Sequence, residues 1–341
     1  MKFTNGHLKF KTYSNSNSYT KLFMIGYEIS FCYVFILGGS MRKVKNVLGI
    51  NEIHRKGITG KGVCVAILDS GIASHPDLKN QIVAFKDFVN DRNDNYDDEG
   101  HGTHVAGIIG GNGKLSRGLM CGIAPEVDIV SLKVLDKHGR GKERDVIEGI
   151  RWIIDNGKKY NIKAVNISFG TTSKTMEENN QLIDAVELLW DLGYVVIAAA
   201  GNNGPGASSV STPGDSRKII TVGAENDNIK TIVNGKMTKN YSGRGPTKQC
   251  IQKPDIVAPA NDIFSCCNLW ERKYFYVSKS GTSMATPVVT GIVCLMLSQY
   301  NLTNVECKKM IRDTAIDLKL DKNRQGWGRI NPEKMFGLSG N

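Results

Sequence analysis

The eight cysteines of this 341-residue chain show no paired spacing. That pattern excludes the disulfide framework of a small secreted domain and the paired spacing of a structural zinc site. Cys64 and Cys294 lie inside apolar runs, where a reduced thiol behaves as a small core side chain. Reduced thiols fit a cytosolic setting. Between Met41 and the C-terminus there is no internal repeat and no low-complexity linker, which excludes a solenoid or an array of tethered modules. Instead, strand-like apolar runs alternate with helical patterns. Val146, Ile147, Ile150, Ile153 and Ile154 recur at helical spacing, as do Leu182, Ile183, Val186 and Leu189. Such alternation predicts an α/β fold, a doubly wound, mostly parallel sheet with helices on both faces.

The net charge of +11 is uneven, because residues 1–60 carry nine Lys and Arg against two Glu. A basic surface can serve nucleic acid or membrane. Here the excess lies mainly outside the region that carries the chemistry, so no nucleic-acid partner is expected. Within residues 1–40, an apolar stretch runs from 22 to 39, with four Lys ahead of it and Glu28 inside it. Its length is marginal for a membrane span, which needs about 20 predominantly apolar residues. Gly38-Gly39-Ser40 offers a small-residue cleavage site, but the polar lead is long for a signal peptide. Residues 1–40 are therefore read as an extension, a mis-called start first and a membrane anchor second. Residues 41–341 are read as a single further domain.

Three segments carry chemistry. Val63-Cys64-Val65-Ala66-Ile67-Leu68 reads as a strand buried on both faces, ending in Asp69-Ser70-Gly71. Asp69 thus stands at a strand's carboxyl end, where open α/β sheets place ligands. By itself it reads better as a turn former before Gly71. Gly100-His101-Gly102-Thr103-His104-Val105-Ala106-Gly107 starts a helix and leaves His101 accessible between glycines. The pair His101 and His104 is not completed into a metal site by nearby acids or cysteines. Gly281-Thr282-Ser283-Met284-Ala285-Thr286-Pro287 places a serine ahead of an apolar run. Thr282 and Ser283 suit a helix cap, and Pro287 suits a helix's first turn. Backbone N–H groups converge at such a helix start and favour negative charge, as a nucleophile that creates an oxyanion requires.

The order Asp, His, Ser is one of three known triad orders. In that order, Val65 to Ile72, Gly100 to Gly107 and Gly281 to Pro287 resemble the three signatures of subtilisin-like serine proteases. The resemblance covers roughly residues 45–335 and extends to Gly326-Trp327-Gly328-Arg329-Ile330-Asn331. It implies a three-layer subtilisin-like fold and a serine endopeptidase. Ser283 would be the nucleophile, His101 the general base and Asp69 the orienting carboxylate. The run Ala199-Ala200-Gly201-Asn202 implies that Asn202 donates to the oxyanion beside the Ser283 N–H. Ser168-Phe169-Gly170 and the Ala200-Gly201 backbone would line the primary specificity pocket, with Phe169 where Leu is usual. Peptide recognition would be strand addition with broad specificity. An α/β-hydrolase reading fails, since no G-x-S-x-G elbow surrounds Ser283 and that fold runs Ser, Asp, His. The alternative from another class is a catalytically silent subtilisin fold acting as a binding or regulatory protein, although such proteins usually lose a triad member.

The loop 91–99, with five acids and one Arg, reads either as solvated or as placing Asp97 or Asp98 against the substrate residue before the scissile one, favouring Lys or Arg there. Ser74-His75-Pro76-Asp77-Leu78 resembles a segment whose Asp binds a stabilising calcium in secreted subtilisins. The companion loop 110–122 carries Lys114 and Arg117 where oxygen ligands belong, so Asp77 is a calcium candidate only, and the chemistry itself requires no cofactor. The interval between Ser40 and Asp69 is too short for the folding propeptide of secreted relatives. Asp87 to Gly107 and Lys133 to Gly139 look most like the intracellular alkaline proteases of spore-forming bacteria. Cytoplasmic residence is the expectation that follows, with protein or peptide substrates as partners.

Overall fold

The computed structural model describes residues 21–23, 41–171, 176–269 and 274–338. The apolar runs read from the sequence become the strands of a seven-stranded parallel sheet. Its order is β10 (Ile256–Ala258), β7 (Ile220–Ala224), β6 (Val195–Ala199), β5 (Ile162–Ile167), β2 (Cys64–Asp69), β4 (Asp128–Lys133) and β3 (Ile82–Asp87). All six residues of β2 are buried. A strand can be apolar throughout only where helices cover both sheet faces.

The strand order explains the location of the site. After β2 the chain moves to the edge strand β3, returns through β4 beside β2, and then crosses to β5 on β2's other side. Successive connections therefore diverge at β2. Outside the carboxyl ends of such a switch point a crevice opens, and Asp69 is the last residue of β2.

Helices complete three layers. α3 (His101–Gly110) and α6 (Thr282–Gln299) pack on each other and on the sheet, as do α4 (Glu143–Asn156) and α5 (Met176–Asp191). These latter two follow the helical spacings at 146–154 and 182–189. Val146, Ile150, Ile153, Leu182, Val186 and Leu189 are buried. α1 (Met41–Val47) and α2 (Ile50–Arg55) add Met41, Ile50 and Ile53 to the core. α6 is apolar enough to span a membrane by composition, but most of it is buried inside the fold.

Two features depart from the expectations. α6 begins at Thr282 with Gly281 as N-cap, so neither Thr282 nor Ser283 serves as the cap. Pro287 consequently lies in the second turn, where its missing N–H leaves the Ser283 carbonyl without the usual i+4 donor. Of the 1–40 extension, only Lys21–Phe23 is described, a short strand β1 paired antiparallel with β12 (Tyr274–Lys279). The apolar run 22–39 otherwise lies outside the described residues. β12 also pairs with β11 (Ile263–Cys266), forming a small sheet that leads into α6. The Thr212–Pro213 bond is cis.

Candidate active site

Asp69 is buried, and its Oδ1 accepts from the Ser70 N–H at 2.8 Å. His101 opens α3 at the adjacent sheet end. Its Nδ1 lies 2.8 Å from Asp69 Oδ1 and 3.0 Å from Oδ2. An ionised carboxylate only accepts, so Nδ1 carries the proton and Nε2 is left as the basic nitrogen. Burial opposes the positive charge on His101, but the Asp69 carboxylate outweighs it through its charge and hydrogen bond. Lys279 acts against that charge and Glu99 with it, and the imidazole's pKa lies above its ordinary value.

His104, one helical turn on, has a different role. It is buried with Nε2 3.0 Å from both the Ile263 and Val277 carbonyls, and burial drives its pKa well down. It is a neutral strut between α3 and the β11–β12 pair, not half of a metal pair.

Both acids that the loop reading offered to substrate are bonded within the fold, Asp97 as a buried residue and Asp98 as an exposed one. Asp97 is buried, and its Oδ1 accepts from Ser70 Oγ and the Gly100 N–H at 2.9 and 2.7 Å. Its Oδ2 accepts from the Thr103 N–H and hydroxyl at 2.8 and 2.6 Å. Ser70 Oγ in turn accepts from the Gly102 N–H. Asp97 is thus the missing cap of α3, and it welds that helix to the strand end carrying Asp69. Its carboxylate is committed to the helix's orphan donors, where negative charge is favoured. Asp98 is tied to the fully buried Lys133 ammonium at 2.7 Å, which also donates to the Ser70 and Leu135 carbonyls. The acid that flanks His101 is Glu99, which accepts from the His101 N–H and lies 3.9 Å from Lys279. Acid-rich composition alone did not distinguish these three roles. Asp97→Asn turns an amide group toward buried donors. It is expected to lower stability in urea unfolding by about 1–3 kcal/mol and to reduce kcat as the Asp69–His101 pair loosens.

Ser283 is the second residue of α6 and is half-buried. Its N–H belongs to the helix's first turn, where intrahelical acceptors are lacking. Asn202 approaches from the loop after β6. Its Oδ1 accepts from the Thr282 N–H at 3.0 Å and the Thr282 hydroxyl at 3.1 Å. Both bonds use the oxygen, so Nδ2 is free to face the serine. Gly281 shows how close these groups come, since a Cβ there would lie 3.2 Å from Ser283 Oγ and 3.4 Å from Asn202 Nδ2. With φ of +141°, this position also disfavours any side chain. Thr282, read from the sequence as a cap, is instead the first helical residue, and its N–H and hydroxyl bind Asn202.

The proposed specificity segments adjoin the same edge. Ser168 is buried and accepts from Asn166 at 2.8 Å, while Phe169 is half-buried and Gly170 exposed. Ala200 and Gly201 are buried, and their carbonyls accept from the Ser211 and Gly243 N–H groups. Gly170 and Phe169 therefore remain as the accessible part of this set.

The surroundings of Asp77 do not fit a calcium ion. Its two oxygens accept from the Leu115 N–H at 2.9 Å and the Tyr276 hydroxyl at 2.6 Å. Among the described His, Cys, Asp and Glu side chains, those that cluster with it are His75 and Cys266, a nitrogen and a sulfur rather than the oxygens a hard cation takes. His75 is itself spent, with Nε2 at 2.9 Å from the Phe275 carbonyl and Nδ1 accepting from the Asp77 N–H. Burial pushes the Cys266 thiol well up, which keeps it protonated and a poor ligand. The Tyr276 hydroxyl closes this segment through Asp77.

Residues 60–328 match the subtilase family of peptidases. Serine protease AprX of Bacillus subtilis (strain 168) is 39% identical over 303 residues, covering 83% of this chain and 68% of that protein. Subtilisin BL of Lederbergia lenta is 35% identical over 281 residues, covering 82% of this chain and 93% of that protein. Among solved structures, Sphericase superposes with a TM-score of 0.68 at 28% identity, covering 80% of this chain and 92% of that one.

Proposed function

Because the chain belongs to the subtilase family, we propose that its serine endopeptidase activity runs through Asp69, His101 and Ser283, with Asn202 and the Ser283 N–H as oxyanion donors. The observation that carries this reading is the Asp69–His101 pair, whose 2.8 Å bond fixes the proton on Nδ1. Proteins or peptides are the substrates. Nε2 of His101 takes the Ser283 hydroxyl proton as Oγ attacks the scissile carbonyl. The resulting tetrahedral oxyanion is met by Asn202 Nδ2 and the helix-start N–H. Collapse of this intermediate expels the amine, which leaves with the proton held on His101. A water then repeats the sequence on the acyl-enzyme, with His101 again as base and then acid. The test is a fluorophosphonate probe on the purified chain, with the adduct mapped by mass spectrometry. Adduct on a residue other than Ser283 removes the reading.

Asn202 has a separable effect. Asn202→Ala keeps Ser283 and His101 but withdraws one oxyanion donor, together with the oxygen that accepts from Thr282. It is expected to lower kcat about 10²- to 10³-fold with little change in KM, measured in steady state on a peptide p-nitroanilide.

The catalytic domain on this reading spans 41–341, supported by the burial of Met41 in its core. A chain starting at Met41 should retain activity, and loss of activity on that truncation refutes the boundary. Cytoplasmic residence is supported by the seven described cysteines, six of them buried and none joined to another in a disulfide. A disulfide found by mass spectrometry in protein taken from cells would count against it.

A further inference from the structure

Two carboxylates flank the base, and each favours its charged form. Asp69 holds Nδ1 from the end of β2. Glu99 holds the backbone of the same residue, its Oε2 accepting from the His101 N–H at 2.6 Å. A general base has to be neutral when substrate arrives. Two acids beside it keep the proton on to higher pH, and a nearby cation offsets them.

Lys279 is such a cation. It is the last residue of β12, two positions before Gly281 and four before Ser283. The register pairs it with Ile263 of β11. The Ile263 and Val277 carbonyls each lie 3.0 Å from His104 Nε2. The strand end that carries Lys279 is therefore bonded to the helix whose first residue is His101. Lys279 Nζ lies 3.9 Å from Glu99 Oε2, the oxygen that also accepts from the His101 N–H. Cation, carboxylate and base thus form one chain of contacts. The Lys279 and Glu99 side chains are only 15% and 27% exposed, so water and salt screen them less than charges on an open surface.

The other charges around His101 have their own partners. Asp97 binds the first donors of α3, and Asp98 pairs with Lys133. His104 is neutral, since burial drives its pKa well down. Among the groups acting on the imidazole, Asp69 and Glu99 favour its charge, and Lys279 is the cation that opposes it.

Resting on His101 as the base and Ser283 as the nucleophile, we propose that Lys279 is a positioning residue, and that the Glu99–Lys279 pair sets the acid limit of catalysis. Lys279 engages Glu99 against the His101 backbone and places positive charge where it favours the neutral imidazole. Glu99 pulls the other way and supports the imidazolium that forms as Oγ attacks. The enzyme then reaches full rate at a lower pH than Asp69 and Glu99 alone would permit.

The test is the pH dependence of kcat/KM on one peptide p-nitroanilide, for wild type, Lys279→Met, Lys279→Arg and Glu99→Gln. Lys279→Met keeps an unbranched apolar stem and removes the charge. Its rising limb should move to higher pH, with about two- to tenfold lower kcat/KM at about pH 6 and a value near wild type on the alkaline plateau. Glu99→Gln retains an oxygen able to accept from the His101 N–H, and its limb should move to lower pH. Lys279→Arg keeps the charge and should keep the limb. A packing role alone would lower the rate at every pH alike. A limb that stays in place or moves the opposite way in Lys279→Met or in Glu99→Gln overturns the proposal. So does a limb in Lys279→Arg that moves as far as in Lys279→Met. Either charge-removing variant decides by itself, so the failure of one to fold leaves the test intact. A fluorophosphonate adduct on a residue other than Ser283 overturns the nucleophile assignment instead, so the two failures are distinct.

Discussion

Ser283→Ala is expected to lower kcat by about 10⁶-fold while leaving KM and the unfolding transition nearly unchanged. The magnitude is that of the same loss in subtilisin, a member of this family. Ser283 is half-buried at the start of α6, and its side chain makes none of the bonds that hold that helix in place. Those are made by neighbours, since Thr282 bonds Asn202, and Thr286 and Thr290 bond the carbonyls four residues back. Removing one hydroxyl therefore deletes the attacking atom and little else. About 10³- to 10⁴-fold acceleration over water should survive, because Asn202 and the helix-start N–H still stabilise an oxyanion formed by direct attack of water. The decisive measurement is single-turnover hydrolysis of a peptide p-nitroanilide, together with loss of the acyl-enzyme burst. Residual activity above about a thousandth of wild type would place the nucleophile elsewhere.

The parts of this machinery legible in the sequence are those fixed by local rules. Asp69 ends an apolar run that only a doubly covered sheet can bury. Ser283 and His101 each open a helix behind glycine. Their types and chain order carry the triad before any coordinates are known. What stayed hidden depends on contacts between distant positions. Tyr276 closes the Asp77 segment from 199 residues away, and no local pattern announces that an aromatic hydroxyl will bond that carboxylate. Lys133 reads as the polar end of a strand, yet it is fully buried because two carbonyls and Asp98 satisfy it. Asp97 and Asp98 are adjacent in sequence and alike in chemistry, but the turn between them sends one to the α3 N-terminus and the other to Lys133. Composition identified an acidic loop, and only the fold could assign its members.

Asp69→Asn tests the other half of the pair and should lower kcat by about 10⁴-fold. An amide in place of the carboxylate is able to donate to Nδ1, which favours the wrong tautomer and leaves Nε2 protonated and unable to accept the Ser283 proton. The change also removes the negative charge that raises the imidazole's pKa. In the wild-type chain, the rising limb of kcat/KM against pH is therefore expected above about 6.5, the ordinary imidazole value, because His101 must be neutral to act as base. In Asp69→Asn, the limb of the residual activity should move to lower pH, since burial and Lys279 then oppose the charge with Glu99 as the remaining acid beside it. Stability runs the other way. A raised folded pKa means that the Asp69–His101 ion pair contributes fully below the unfolded imidazole value, and that this contribution fades as pH rises through the folded one. Wild type and Asp69→Asn should thus differ in stability more at pH 5.5 than at pH 9, as urea unfolding would measure. A rising limb that keeps its position in Asp69→Asn would mean that the base is not held by Asp69, and that the 2.8 Å bond is structural alone.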